Sequence, residues 1–166
     1  TYTYHHLYGM NCTSLRFFTV YGPKGRPDMA PYLFTQWIFE GAELKMFGDG
    51  TTSRDYTYID DIVSGVVAAL DADLGYEIIN LGNSQTVVLR DLIALVETLV
   101  GKEARIVPLP MQPGDVPHTW ADISKARRLL GYDPRTSIEE GMKHFVAWYR
   151  QEVLSEQAEP KRGEPK

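Results

Sequence analysis

An α/β fold is the class this sequence predicts, on three observations. Short apolar runs alternate with amphipathic helical segments along nearly the whole chain. Glycine and proline punctuate almost every junction between them. Only two or three of the apolar runs are long enough for a central parallel sheet, and such a sheet needs helices on both faces. The expected arrangement is therefore the end of a parallel sheet with a small appended α/β domain.

Taken in order, Thr1–Tyr8 reads as the tail of a helix closed by Gly9. "CTSLRFFTV" follows as one short, mostly buried strand that Gly22-Pro23 ends. "PDMAPYLFTQWIFEG" predicts a helix after Pro27, terminated by Gly41. "ELKMFGDG" is a short strand running into a turn, and "SRDYTYI" is another strand. Ile59, Ile62, Val63, Val66, Val67 and Leu70 recur at helical spacing, with Asp60 and Asp61 in the first turn. "YEIINLG" is a buried strand ended by Gly82. Leu89, Leu92, Ile93, Val96 and Val100 mark a second amphipathic helix closed by Gly101. "EARIVPLP" is a strand entering the loop "MQPGDVP", and Asp122 caps a short helix ending at Gly131. Ser137 with Glu140 forms a capping box before Ile138, Met142, Phe145 and Tyr149. Beyond about Leu154 the chain has no apolar anchor, so disorder is expected there.

The 166 residues, 43% of them hydrophobic, suffice for one moderate core, or one domain and part of another. A net charge of −5 argues against nucleic acid or an anionic membrane as a partner. A specific anion remains open to a few placed arginines, since contact geometry outweighs net charge. The single Cys12 is expected to be a buried, inert thiol in a reducing cytoplasm. No apolar run reaches the roughly 18–20 residues of a membrane-spanning helix.

No glycine-rich strand-to-helix turn of the dinucleotide-binding kind is present, and "GDG" and "GPKG" read as turns. Neighbouring His5 and His6 point in different directions on a helix and have no third ligand nearby, so a metal is not expected. The chemistry lies in isolated arginines and aromatics. Arg16 within a strand needs a partner, either a structural carboxylate or a ligand. Arg26 and Arg54 in loops offer guanidinium forks that match a phosphate or carboxylate. Phe47, Tyr56 and Tyr58 offer flat faces for a base or sugar, or pack in the core. Asp115 accepts from sugar hydroxyls or caps a turn.

The strings "LRFFTVYGPKGRPDMAPYLF", "KMFGDGTTSRDYTYIDDIVSGV", "NLGNSQTVVLRDLI" and "QPGDVPHTWADISKARRLLGYDPRTSIEEGMKHFVAWY" together resemble an extended short-chain dehydrogenase/reductase. Within that superfamily they are similar to the nucleotide-sugar epimerases. "GRPDMAP" with "MQPGDV" resembles UDP-glucuronate 4-epimerases in particular. The resemblance implies a fold made of the end of a Rossmann-type parallel sheet and the small C-terminal substrate-binding domain. It places residues 1–25 in the NAD-binding domain, 26–154 mainly in the substrate domain and 155–166 in a disordered tail, with the strand near 76–82 returning to the Rossmann sheet.

It implies a reaction in which NAD takes a hydride from C4 of the sugar, leaving a 4-keto sugar that receives the hydride on its other face. Val20 then approaches the nicotinamide through its backbone, and Thr19 takes a substrate-contacting position. Arg26 is the candidate for the sugar carboxylate, with Arg16 and Thr19 competing. Phe47 and the Lys45 backbone match the uracil-contacting segment, Arg54 an arginine on the diphosphate, and Asp115 an acid on the ribose. Gln112 stands where galactose epimerases carry arginine, which reduces one charge contact to a neutral hydrogen bond.

No tyrosine here has a lysine four residues on. The resemblance therefore assigns the catalytic Tyr and Lys, and the NAD glycines, to a preceding Rossmann segment. On that expectation this chain alone is catalytically silent, binds no NAD and exposes an unpartnered sheet edge. The longer enzyme is expected to be a cytoplasmic homodimer interconverting UDP-glucuronate and UDP-galacturonate. A dehydratase or decarboxylase of the same scaffold, or a non-catalytic nucleotide-sugar binding module, is the alternative.

Overall fold

The computed structural model describes residues 1–155. Of the disordered tail expected over 155–166, Ser155 instead continues the last helical turn, and the rest falls outside the described residues. The order of elements is α1 (Tyr2–Tyr8), β1 (Cys12–Phe17), β2 (Thr19–Tyr21), α2 (Ala30–Glu40), β3 (Glu43–Phe47), β4 (Ser53–Tyr58) and α3 (Ile59–Asp71). There follow β5 (Tyr76–Leu81), β6 (Thr86–Val88), α4 (Leu89–Val100), β7 (Arg105–Leu109), α5 (Ser124–Leu130) and α6 (Ile138–Trp148). A single π-turn, Tyr149–Val153, continues α6. The fold is mixed α/β, as the alternation predicts.

The strands form three small sheets. β1 pairs with β5 in parallel, β2 and β4 pair in parallel with β6 antiparallel on the far side of β4, and β3 pairs with β7 in parallel. "CTSLRFFTV" is thus two strands rather than the single strand expected. Phe18 breaks it by donating its N–H to Leu81 O at 3.0 Å, and the chain crosses there from the β1–β5 sheet to the β2–β4–β6 sheet. Nothing local marks the break, because residues 12–21 are uniformly strand-forming. The three-residue β6 was not expected from the sequence, being too short to show an alternation.

Two cores follow from this division. Leu44, Leu92, Ile93, Val96, Met142 and Phe145 build the larger, between α2, α4, α6 and the central strands. Ile62, Ile79, Leu81, Ile123, Ala126 and Tyr132 build the smaller, around β5. α4 buries Leu92, Ile93, Val96 and Val100 at the spacing that predicted it, and Gly101 ends it with a left-handed turn. Ser137 caps α6 by accepting from Glu140 N at 3.2 Å. Asp122 accepts from Ser124 N at 2.9 Å but lies one residue ahead of the cap position, which Ile123 occupies.

α3 departs from expectation. Ile62, Gly65 and Ala69 face inward, whereas Val63, Val67 and Leu70 are 48%, 51% and 82% exposed. Helical spacing identifies an apolar helix, but its width here exceeds the face that β5 and α5 cover. Together with Asn11, Thr13 and Leu15, the α3 residues Val66, Ala69 and Leu70 line an open cleft of about 320 Å³. Cys12 is half-buried rather than buried. His5 Nδ1 donates to Met10 O at 2.8 Å and its ring stacks near Tyr76, so it serves packing.

Candidate functional site

The first two turns of α2, the C-terminal half of β3, the first half of β4 and the loop after β7 converge on a cavity of about 230 Å³. Its apolar wall is Leu33, Phe34, Trp37, Phe47, Tyr56 and Leu89, and its polar rim is Asp28, Lys45, Thr52, Arg54 and Asp115. The position of each follows from local structure. Leu33, Phe34 and Trp37 are one face of α2 at helical spacing. In β3 the side chains alternate, so Leu44 and Met46 enter the core while Lys45 stays exposed. In β4, Arg54 faces the cavity and Asp55 faces the opposite side, into the protein.

The segment Asp115–Ala121 is laid along β4. Ser53 N donates to Pro117 O at 2.9 Å, Thr119 N donates to Ser53 O at 3.1 Å, and Ser53 Oγ bonds His118 Nδ1 at 2.9 Å. This brings Asp115 onto Arg54. Arg54 Nη2 donates to Asp115 Oδ1 at 2.6 Å, and Nη1 donates to Ser53 O and Pro117 O. Their side chains are 22% and 37% exposed, so the pair is partly shielded from solvent screening.

A second cavity of about 200 Å³ lies beside the first, lined by Val20, Tyr21, Gly22, Lys24, Arg26 and Ile59 among others. Gly22 adopts φ 145° there, and a Cβ on it would lie 3.3 Å from the Tyr58 ring and nearer still to Ile59. Arg26 is not free. Its Nε donates to Asp28 Oδ1 at 3.0 Å and its Nη2 to Asp28 Oδ2 at 2.5 Å. That hydrogen-bonded ion pair holds the Asp28 carboxyl below its ordinary value and raises the guanidinium. The Arg26–Asp28 pair therefore spans the two cavities, one partner on each.

Five residues singled out from sequence, Lys45, Phe47, Arg54, Tyr56 and Asp115, thus share one cavity, and Val20 and Arg26 share the other. Arg16, Thr19 and Gln112 line neither. Arg16 is exposed on β1 and has no side-chain partner among the described residues, so the expected cost of burying it does not arise. Gln112 is exposed, and its carbonyl accepts Asp115 N to form the turn that presents Asp115. Tyr56 and Tyr58 are core residues, 3% and 8% exposed. Burial pushes the Tyr56 phenol up to about 12. Sequence reasoning missed Asp28, Trp37 and Thr52. The signal for Trp37 was its helical phase with Leu33 and Phe34; for Asp28 there was none beyond adjacency to Arg26.

The profile of the family described as GDP-mannose 4,6 dehydratase matches residues 1–145. The chain is 51% identical over 154 residues to UDP-glucuronate 4-epimerase of Thermodesulfobacterium geofontis, which covers 92% of this chain and 47% of that relative. Its fold is similar to the crystal structure of UDP-glucuronic acid 4-epimerase from Bacillus cereus in complex with UDP-glucuronic acid and NAD. There the TM-score is 0.85 at 41% identity, covering 90% of this chain and 48% of that one. It is also similar to UDP-glucose 4-epimerase from Thermotoga maritima with UDP-glucose, with TM-score 0.86, 33% identity, and 92% and 50% covered. The chain spans about half the length of the curated relatives it matches. It belongs to the GDP-mannose 4,6 dehydratase family, among the Rossmann-type extended short-chain dehydrogenase/reductases.

Proposed function

We propose that this chain is the substrate-recognising part of an NAD-dependent UDP-sugar 4-epimerase that interconverts UDP-glucuronate and UDP-galacturonate. The observation that carries this reading is the convergence of Lys45, Phe47, Arg54 and Asp115 on one cavity with an aromatic wall. Cavities of this kind, apolar with a few convergent polar groups, suit a flat base and an anionic tail.

In this reading the uracil lies against Phe47 and meets the Lys45 backbone, and the diphosphate takes Arg54. Asp115 gives up its ion pair with Arg54 and accepts from the ribose hydroxyls instead, while the diphosphate takes its place on the guanidinium. Arg26 receives the sugar carboxylate by leaving Asp28, with Arg16 and Thr19 as the competing groups. Gln112 contributes at most a neutral hydrogen bond to the diphosphate.

For the cofactor, this chain offers Val20, on an edge strand bordering the second cavity, and no glycine cradle. When bound, NAD supplies the acceptor and donor of the C4 hydride. The chain's own part is to hold the sugar by its two anionic ends so that C4 is presented in a fixed orientation. The catalytic Tyr and Lys belong, by the resemblance, to the half of the relatives that this chain does not span. By the same resemblance the longer protein is a cytoplasmic homodimer.

The test joins this chain to the NAD-binding half of a relative and assays conversion of UDP-glucuronate. Epimerisation is expected, and Arg26→Ala is expected to weaken UDP-glucuronate by about 10-fold or more while sparing UDP-glucose, the loss of a charge-assisted hydrogen bond. Equal losses for both sugars would remove the carboxylate role. An NAD-loaded, folded protein that converts neither would remove the epimerase.

A further inference from the structure

Asp55 is fully buried, at 0% exposure, and no cation pairs with it among the described residues. A buried carboxylate without compensation is costly enough that four donors around it demand an account. Asn83 N donates to its Oδ1 at 2.8 Å, Ser84 N to its Oδ2 at 2.9 Å, and Ala121 N to its Oδ2 at 3.0 Å. The Thr57 hydroxyl donates to Oδ1 at 3.2 Å. Three backbone amides and a hydroxyl take the place of water around the carboxylate.

Those donors come from separate parts of the fold. Asp55 is on β4, in the sheet that lines the first cavity. Asn83 and Ser84 leave β5, which belongs to the other sheet and the other core. Ala121 closes the segment whose beginning presents Asp115 to Arg54. The backbones approach closely enough that a Cβ at Gly82 would lie 3.1 Å from Asp55 Oδ2 and clash with Ala121 Cβ. Thr119 Oγ1 accepts Asp55 N at 3.2 Å, and Trp120 Nε1 donates to Ser84 O at 3.2 Å, binding the same three strands of chain together.

We propose that Asp55 is a positioning residue that locks the seam between the two sheets and, through segment 117–121, sets the orientation of the neighbouring Arg54–Asp115 pair. Its meaning for ligand binding rests on the nucleotide-site reading above; its geometry does not. Asp55 touches no cavity itself. It acts because the segment pinned at Ala121 and Thr119 is the same one whose Pro117 carbonyl and Asp115 carboxylate hold the Arg54 guanidinium.

The test uses the 166-residue chain. Asp55→Asn keeps the shape but turns one acceptor into a donor facing backbone amides. Amide hydrogen exchange is expected to accelerate at least about tenfold at Ser84, Thr119 and Ala121 while α4 and α6 keep their protection. NMR of the Arg54 guanidinium is expected to show the free rotation of a solvent arginine, as in an Asp115→Asn control. Arg54 rotation as slow as in the unaltered chain, with exchange accelerated, would overturn the proposal and leave a purely structural staple; unchanged exchange would overturn it outright. Should Asp55→Asn not fold, Thr57→Val, which deletes the hydroxyl donating to Asp55 Oδ1, is read the same way. A separate UDP titration distinguishes the two readings. Arg54 freed with UDP binding unaltered supports the positioning by Asp55 and refutes the role of Arg54 in the nucleotide site.

Discussion

Gly141 in α6 invites replacement by alanine, which a local reading of the helix favours. Gly→Ala inside a helix stabilises by about 1 kcal/mol through propensity. The tertiary structure predicts the opposite outcome. A Cβ at Gly141 would lie 2.7 Å from Tyr21 Cζ and 2.9 Å from Cε2, and closer still to the hydroxyl. Tyr21 cannot yield easily: it is 3% exposed, edge-on to Tyr56 and Tyr58 at 6.3 and 5.7 Å, and its hydroxyl donates to Ser137 O at 3.3 Å.

Overpacking of such a site costs about 1–3 kcal/mol, and displacing the hydroxyl forfeits a hydrogen bond worth about 1 kcal/mol. The clash therefore exceeds the propensity gain, and Gly141→Ala is expected to destabilise by about 1–3 kcal/mol. Urea denaturation followed by circular dichroism measures it, with Tyr21→Phe completing a double-mutant cycle. Removing the hydroxyl relieves the tightest contact, so the alanine is expected to cost less in the Tyr21→Phe background. An alanine variant as stable as the parent, or an equal penalty in both backgrounds, would refute the reasoning.

At alkaline pH, burial raises Tyr21, Tyr56, Tyr132 and Tyr149, with Tyr56 and Tyr149 at about 12. Because the folded values lie above the unfolded value of about 10, this stability is fully present below pH 10 and drains as pH climbs towards 12. Tyrosinate absorbance is expected to rise together with loss of helical signal, whereas early titration of these tyrosines in a folded chain would contradict their burial. Ser137→Ala removes the cap on α6 and is expected to cost about 1 kcal/mol in a urea titration; no shift in the midpoint would show that the cap is dispensable.

How much of this was legible in the sequence depends on distance along the chain. The periodicity of α4, the Ser137 cap and the left-handed glycines after α2 and α4 are local patterns, and they translate directly into the observed elements. The candidate site was legible in part. Arg54, Phe47 and Asp115 stood out by residue type and chain order, and the resemblance gathered them. That Arg54 and Asp115 bond to each other and that Arg26 is held by Asp28 were not readable.

By itself, the sequence determined the alternation of strands and helices, their caps, and the family to which the order of motifs belongs. Those features rest on interactions within a few residues, or on a pattern of residue types that needs no coordinates. Only the tertiary structure decided that the chain changes sheets at Phe18, that Val63, Val67 and Leu70 of α3 stay exposed, and that Asp55 is buried among amides from two distant segments. Each of these depends on which surfaces meet across dozens of intervening residues. A helical or strand period reports that a face is apolar, while what covers that face, and what a buried carboxylate bonds to, is settled only when the distant segments are packed together.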